Sequence, residues 1–258
     1  MQNNTFPTLF VGQNLIRLPE VDSTNNFLKA IVSNSEPLAE GTVIMADKQF
    51  AGRGQQENTW YSEPGMNLTF SIYLSPLFLP ITSQFLLNMA VSVGVRDAIN
   101  DFLGGGLKVK WPNDLYYNDQ KLGGILIENI LSGSKYKAGI VGIGINVNQL
   151  NFDPMLLNRP ISMGKILQRD VNLLELLAKI CTHIEAQYLR LRSGNFNSLQ
   201  NSYLSGLYRF KEKASYRRLG EVFEGTIIDV TEQGLLVMLS NGIEKHYNFK
   251  EVEFLNNI

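Results

Sequence analysis

Residues 109–127 read VKWPNDLYYNDQKLGGILI, and this stretch decides how the middle of the chain folds. Runs of β-prone residues lie on both sides of Asn118 and Asp119, two residue types that tolerate the positive φ of a tight hairpin turn. Pro112 ends strand pairing just before Asp114, as expected at a sheet edge or a bulge. The stretch is therefore predicted to form an antiparallel hairpin.

The turn position decides which side chains of this hairpin share a face. It pairs Tyr116 with Lys121. Two residues further from the turn, it pairs Asp114 with Gly123. Side chains alternate along a strand, so Asp114, Tyr116 and Lys121 are expected on one face. Diagonal cross-strand neighbours lie ~7–8 Å apart, which would leave room for a substrate group between Asp114 and Lys121. The same pattern is also typical of an ordinary exposed hairpin with a Lys–Asp pair.

Two further stretches have the composition of binding segments. Residues 49–66, QFAGRGQQENTWYSEPGM, form a long polar segment with one cation, Arg53, and one tryptophan, Trp60. A loop of this length without regular structure is usually functional or disordered. Residues 142–148, GIGINVN, lack the third glycine and the following helix of a dinucleotide fingerprint. Their glycines would instead allow the backbone to approach a nucleotide closely.

These motifs together resemble a biotin protein ligase, the enzyme that attaches biotin to a carboxyl carrier protein. The resemblance rests on GRG followed by Trp60, on KWPND followed by Lys121 and GGIL, and on GIGINVN. It is close over residues 21–147 and looser beyond them. It implies a monofunctional biotin–[biotin carboxyl-carrier protein] ligase without a DNA-binding domain. Such a ligase activates biotin with ATP as biotinyl-5′-AMP and transfers the biotinyl group to a carrier lysine, with Mg²⁺ carried on ATP and no metal site of its own.

The resemblance also implies roles for individual residues. Lys121, Arg53 and Asp114 are the expected catalytic residues, with the lysine bridging the biotin carboxylate and the α-phosphate. The biotin site is expected to contain Ser23, Thr24, Asn25, Gln49, Gly52, Arg53, Gly54, Gln55, Lys121 and Gly124. The ATP and adenylate site is expected to contain Arg53, Trp60, Asn113, Lys121 and Asn146.

One position departs from the family pattern. Most members have a second arginine where this chain has Gln55, so the loop reads GRGQ and not GRGR. Glutamine keeps hydrogen-bond donors but lacks the planar charged fork of arginine. The contacts between this loop and the adenylate are therefore expected to differ from those in most members.

Periodicity predicts the remaining elements. Apolar residues at helical spacing indicate two long helices, over 82–102 and 172–191. Asp22 or Ser23 is positioned to cap a shorter helix that follows it. Four strands are expected before residue 150, at 15–18, 41–48, 67–74 and 136–147, in addition to the hairpin.

The pattern changes near residue 208, which suggests two domains. After residue 214, short β runs are separated by turn signals such as Asn241-Gly242, which predicts a small barrel of about five strands. We therefore expect an α+β fold. Residues 1–208 would form a mixed β-sheet packed with helices, as in the class II aminoacyl-tRNA synthetase-like biotin/lipoate ligase catalytic domain. Residues 209–258 would form an SH3-like β-barrel, as the family resemblance implies.

Composition narrows the class of protein. The chain has 258 residues, of which 44% are hydrophobic, and its net charge of −1 provides no global field that would recruit nucleic acid. Its one cysteine, Cys181, excludes an intramolecular disulfide and favours a reducing compartment. The sequence shows no signal peptide and no apolar run of bilayer length. We expect a cytoplasmic protein that binds neither DNA nor membranes and is a monomer or a homodimer.

Two other functions stay open at this point. A lipoate-protein ligase shares the architecture and the adenylation chemistry, although its expected glycine-rich and histidine-containing motifs are absent from this sequence. A non-catalytic protein that binds biotin or the carrier is the alternative from a different class, although Lys121 and Arg53 argue against it. Pyrophosphate exchange that depends on biotin, and not on lipoate, separates the three functions.

Overall fold

A seven-stranded mixed sheet forms the centre of the molecule. The computed structural model describes residues 6–34, 37–55, 58–133, 135–153 and 159–255. The strands are β1 (Leu15–Val21), β2 (Val43–Gln49), β3 (Leu68–Leu74), β4 (Leu107–Lys110), β5 (Asp114–Tyr117), β6 (Gln120–Ser132) and β7 (Lys135–Ile145). They are ordered β1-β2-β3-β7-β6-β5-β4, and only β1 and β2 pair in parallel. The predicted mixed sheet is confirmed.

Helices cover both faces of this sheet. They are α1 (Thr24–Ser33), α2 (Phe85–Leu103), α3 (Met163–Leu167), α4 (Leu173–Arg192) and α5 (Phe196–Ser205). The two long helices expected from periodicity are confirmed as α2 and α4, whereas α3 and α5 were not predicted. No helix in the described ranges is both long and apolar enough to cross a bilayer.

Alternation along β2 explains why two apolar layers form. Val43 and Met45 face the main core, which also contains the buried sides of α2 and α4. Ile44 points to the other face, where it packs with Leu28 of α1. Of the helices in the described ranges, only α1 therefore packs on this side of the sheet, and its first turn lies over the middle strands.

A five-stranded antiparallel sheet follows, as expected from the turn signals. Its strands are β8 (Lys213–Arg218), β9 (Glu221–Val230), β10 (Leu236–Ser240), β11 (Ile243–Tyr247) and β12 (Glu253–Phe254). The sheet packs directly on the larger unit: the Trp111 indole nitrogen donates to the Gly234 carbonyl at 3.0 Å, and the Phe85 and Phe249 rings are 6.0 Å apart. The two sheets consequently share one continuous core.

The β5–β6 hairpin has the predicted turn but not the predicted register throughout. Tyr116 pairs with Lys121 as expected. Asp114 pairs with Gly124 and not with Gly123, because the register shifts between the turn and the strand end. The extra residue is Leu122, whose side chain is fully buried. Burial of that side chain in the core offsets the interrupted ladder, as is common at a β-bulge.

Glu185 attaches the segment before β1 to helix α4. Its carboxylate accepts backbone N–H bonds from Leu9, Phe10 and Val11 at 2.7, 2.8 and 2.9 Å. The glutamate is only 6% exposed, so few water molecules can replace these bonds. A buried carboxylate with several backbone donors makes strong, charge-assisted hydrogen bonds.

We expect Glu185→Ala to lower the free energy of unfolding by about 3 kcal/mol, because it leaves three backbone donors without their acceptor. Urea denaturation of the full chain measures this change. Glu175→Ala is the matched control, since it removes the same charge from an exposed position in the first turn of α4 and should cost less than about 1 kcal/mol. Equal losses in the two variants would contradict the structural role of Glu185.

Candidate active site

A cavity of about 420 Å³ opens on the α1 side of the large sheet. All but two of the residues predicted for the site line it: Ser23, Thr24, Asn25, Gln49, Arg53, Gly54, Gln55, Trp60, Asn113, Asp114, Lys121 and Gly124. The start of α1, the end of β2 with the loop after it, and the segment around the hairpin supply these residues, and Gly142, Ile143 and Gly144 of β7 add to the lining. Segments far apart in the sequence thus converge on one site.

The two exceptions lie close by. Gly52 is buried, and a Cβ at this position would lie 2.3 Å from the carbonyl oxygen of Trp60. Its role here is to let the two sides of the loop approach, since the Trp60 amide donates to the Gly52 carbonyl at 2.9 Å. Asn146 lines a neighbouring cavity of about 390 Å³, which also includes Lys121 and Trp60. Lys121 and Trp60 therefore border both cavities.

Polar groups at the start of α1 are connected in a buried network. The Thr24 amide donates to Gln49 Oε1 at 2.8 Å, and the Thr24 hydroxyl donates to the same oxygen at 3.1 Å. The Ser71 hydroxyl lies 2.7 Å from Thr24 Oγ1 and 2.6 Å from Asn25 Oδ1. Ser23 has the extended backbone of an N-cap residue, but its side chain makes no capping hydrogen bond. This network fixes the orientation of the amide side chains that face the cavity.

Two glycines of the GIGINVN motif make room for site residues. A Cβ on Gly142 would lie 2.4 Å from Asn25 Oδ1, and one on Gly144 would lie 2.5 Å from the Trp60 indole ring. These glycines were expected to let the backbone approach a nucleotide. That expectation stays a prediction, and in this structure the glycines also accommodate two side chains of the site, Asn25 and Trp60.

The hairpin places Asp114 and Lys121 in direct contact. Lys121 Nζ lies 2.6 Å from Asp114 Oδ1. The predicted gap of several ångströms between them is therefore wrong, because the long lysine side chain extends along the hairpin and reaches the carboxylate. Gly124 is close to this pair, since a Cβ there would lie 3.2 Å from Asp114 Oδ1. A substrate anion would approach a lysine that already has a carboxylate partner.

Tyr116 does not join the site, although it was expected on the same face. Its hydroxyl accepts a hydrogen bond from Lys110 Nζ at 3.2 Å, and both residues line a separate cavity next to the C-terminal sheet. Burial lowers the pKa of Lys110 despite the opposing effect of nearby Asp114. Burial likewise raises the pKa of Tyr116. These two side chains thus belong to the contact between the two sheets.

Arg53 is held by residues that the sequence did not single out. Its Nη1 donates to Asn26 Oδ1 at 2.7 Å, and its Nη2 donates to Glu128 Oε1 at 3.0 Å. Glu128 also pairs with Lys29 and accepts from Asn25. Burial opposes ionisation of Glu128, but the hydrogen bonds from Lys29 and Asn25 and the charges of Lys29 and Arg53 outweigh it and lower its pKa.

Asn113 has a structural contact in addition to its place at the cavity. It is buried, and its side-chain amide donates to the Ile125 carbonyl. The Ile125 amide donates in turn to the Asn113 carbonyl at 3.0 Å. The two bonds lock the residue before β5 to β6.

Comparison with known proteins identifies the family. The family model described as "Biotin/lipoate A/B protein ligase family" matches residues 18–146, which include both the loop and the hairpin. The chain belongs to the biotin/lipoate A/B protein ligase family. The predicted resemblance is confirmed.

Individual relatives match half of the chain or more. The bifunctional ligase/repressor BirA of Bacillus subtilis is 29% identical over 244 residues, which cover 93% of this chain and 74% of that protein. The biotin–[acetyl-CoA-carboxylase] ligase of Paracoccus denitrificans is 32% identical over 132 residues, covering 50% of this chain and 53% of that protein. A solved structure of the biotin protein ligase from Aquifex aeolicus, in complex with biotin and ATP, has a TM-score of 0.77. It is 28% identical and covers 95% of this chain and 99% of that one.

Sequence reasoning missed several polar residues of the site. Ser71 and Glu128 each interrupt an apolar strand, NLTFSIYL and GGILIENIL respectively. A polar residue within such a strand is a signal for a buried partner, and both have one here. Lys29 and Asn26 carry no comparable signal, because charged and amide residues are ordinary on a helix surface.

Proposed function

We propose that the chain is an ATP-dependent ligase that activates biotin as biotinyl-5′-AMP and transfers the biotinyl group to a lysine of a biotin carboxyl carrier protein. One observation supports this most directly: Lys121 borders both cavities. The cavity at α1 would hold biotin, and the neighbouring one would hold the nucleotide. A cation between them is positioned for two anions that must react with each other.

The first step joins the two substrates. A carboxylate oxygen of biotin attacks the α-phosphorus of ATP, the bond to the bridging oxygen breaks, and pyrophosphate leaves. Lys121 contacts the carboxylate and the α-phosphate and stabilises the charge that grows on the phosphorus oxygens. ATP arrives as its Mg²⁺ complex, whose metal neutralises part of the triphosphate charge. Arg53 supplies a second cation from the loop, and Asp114 holds the lysine ammonium in place.

The second step releases AMP. The amine of the carrier lysine attacks the acyl carbon of the mixed anhydride, the carbon–oxygen bond to AMP breaks, and the amine loses a proton. We assign the biotin side to Ser23, Thr24, Asn25, Gln49, Gly52, Gly54, Gln55 and Gly124, with Ser71 supporting them. We assign the nucleotide side to Trp60 and Asn146, which line the neighbouring cavity, and to Asn113, which lines the cavity at α1. Lys121 and Arg53 serve both sides.

We further propose that residues 1–208 form the catalytic domain and that residues 209–258 form a second, smaller domain. Strand β8 begins at Lys213, a few residues after this boundary. The free thiol of Cys181 is buried, and this is consistent with a cytoplasmic enzyme that uses cellular ATP.

Exchange of labelled pyrophosphate into ATP tests the proposed function. Incorporation that requires biotin, and is not supported by lipoate, is the expected result. Exchange with lipoate alone would replace the proposal with a lipoate ligase. Absence of exchange with either acid would leave a binding protein as the explanation, because adenylate formation is reversible in such a ligase.

Gln55→Arg is expected to slow release of the adenylate by about fivefold at most, because position 55 lines the cavity and a guanidinium there adds a partly exposed charge near the phosphate. The dissociation rate of biotinyl-5′-AMP is measured by chasing labelled adenylate with an unlabelled excess. Gln55→Met is the control for side-chain length without charge. If both variants release the adenylate at the same rate, charge at position 55 does not contribute.

A further inference from the structure

Glu128 connects three segments that surround the biotin side of the site. It lies on β6, and its side chain is 16% exposed. Oε2 accepts from Asn25 Nδ2 at 2.8 Å. Oε1 is shared by two cations, since Lys29 pairs with it and Arg53 Nη2 lies 3.0 Å away. One carboxylate thus has two positive partners and one amide donor.

The two cations differ in what surrounds them. Lys29 belongs to helix α1 and does not line the cavity, whereas Arg53 belongs to the loop and does. Arg53 also donates to Asn26, so both of its terminal nitrogens point to protein acceptors. A substrate anion bound by the same two N–H groups must displace an acceptor, and an anion bound by the remaining N–H groups shares the charge of the guanidinium with Glu128.

We propose that Glu128 is a positioning residue that competes with the anionic substrate for Arg53. When the Arg53 side chain moves from Glu128 to the substrate anion, Lys29 keeps Glu128 paired. The inference rests on the proposed function. A buried carboxylate left without a partner is costly, and this would oppose the transfer. Lys29 and Asn25 remove that cost, because each carboxylate oxygen keeps one donor after Arg53 leaves.

This movement of Arg53 from Glu128 to the substrate matters more in this chain than in family members with two loop arginines. Arg53 is the only lysine or arginine in residues 49–66, and Gln55 cannot replace its charge. Substrate binding through the loop therefore depends on how strongly Glu128 holds this one side chain. Glu128 positions Arg53 at the cavity and at the same time limits its affinity for anions.

Glu128→Gln tests the competition, since the amide has the same size and no charge. The probe is a biotinyl-sulfamoyl adenosine, a stable analogue of biotinyl-5′-AMP, and its Kd is measured by calorimetry. We expect Kd to fall by about twofold to fivefold, the range of a partly exposed ion pair. A residue with only a structural role would give weaker binding or no change.

Repeating Glu128→Gln in an Arg53→Gln protein separates competition for Arg53 from a general electrostatic effect. Removing a negative charge could tighten anion binding at a distance, and that effect would persist without Arg53. Under the proposed exchange, Glu128→Gln changes Kd by less than about 1.5-fold once Arg53 is replaced, because the coupling between the two residues has been removed. A full gain in the Arg53→Gln background would overturn the proposal.

Lys29→Met is a second variant, and it is expected to weaken binding of the analogue where Glu128→Gln strengthens it. Arg53 becomes the last cation on Glu128, so its transfer costs more and Kd should rise by about twofold to fivefold. Lys179→Met is the control, because Lys179 pairs with Asp101 on the α2–α4 surface and should leave Kd unchanged. Thermal melting checks that each variant folds. If Glu128→Gln does not fold, Lys29→Met tests the proposal in its place. An unchanged Kd in Lys29→Met would contradict the proposed role of Lys29 in keeping Glu128 paired.

The wild-type protein distinguishes failure of this inference from failure of the proposed function. Biotin-dependent pyrophosphate exchange by the wild type, together with unchanged Kd values in the variants, would reject only the exchange of Arg53. Lack of biotin-dependent pyrophosphate exchange by the wild type would reject the ligase function itself.

Discussion

Lys121→Ala is expected to reduce the rate of biotinyl-5′-AMP formation by about 10²–10³-fold while leaving the protein folded. Among the residues that the structure describes, Lys121 is the one cation that lines both cavities, whereas Arg53 lines only the cavity at α1. No second described cation is therefore placed between the carboxylate and the phosphate. The cost to folding should be small, because the ion pair with Asp114 is partly exposed on both sides. Single-turnover formation of the adenylate, with circular dichroism as the folding check, measures both quantities.

Lys108→Ala is the matched control for this variant. Lys108 lies on β4 of the same sheet and is exposed, and its ammonium makes a long 3.4 Å contact with the Ser205 carbonyl. Its replacement should leave the rate within about twofold, as for a surface substitution. A folded Lys121→Ala protein with a near-normal rate would remove Lys121 from the catalytic role.

Gly142→Ala is expected to raise the KM for biotin by about 30-fold, which corresponds to about 2 kcal/mol of lost binding. The new Cβ would lie 2.4 Å from Asn25 Oδ1. Asn25 must then move, and it leaves both Ser71 and Glu128, to which it is bonded. The effect should appear mainly in KM for biotin, because the clash is at the biotin side and not at Lys121.

Gly139→Ala, on the same strand, separates this clash from a general effect of alanine in β7. The nearest atom to a Cβ at position 139 is the end of the flexible Leu87 side chain, at 3.0 Å. We expect less than a threefold change in KM for biotin, because a side-chain end can shift by a few tenths of an ångström at a cost below about 1 kcal/mol. If Gly142→Ala behaves like Gly139→Ala, Asn25 does not determine biotin binding.

Much of the fold could be predicted because it depends on local patterns. The turn at Asn118-Asp119 and the helices α2 and α4 follow from residue types within a few positions of one another. The short helices α3 and α5 were missed, and for α3 the reason is that five residues give too few turns for a clear apolar period. The register change in the hairpin was missed because the core position of Leu122 depends on the strands and helices around it.

The site, like the fold, was predictable where it depends on local motifs and not where it depends on distant contacts. The motifs that carry Arg53, Trp60 and Lys121 were recognisable in the sequence, and the structure brings these residues to one pair of cavities. What holds them there was not recognisable. Arg53 is 75 residues from Glu128, and Glu128 is 99 residues from Lys29.

The sequence by itself determined which chemical groups the protein has and which local segments present them. Only the tertiary structure decided which groups are neighbours, that Asp114 contacts Lys121, that Glu128 is shared by two cations, and that Gly142 and Gly144 make room for Asn25 and Trp60. The physical reason is that these contacts depend on the register between strands. Ser71 faces Asn25 and pairs with Gly142 only because β3 and β7 are adjacent in the sheet, and burial of both apolar layers selects that arrangement over shifted ones.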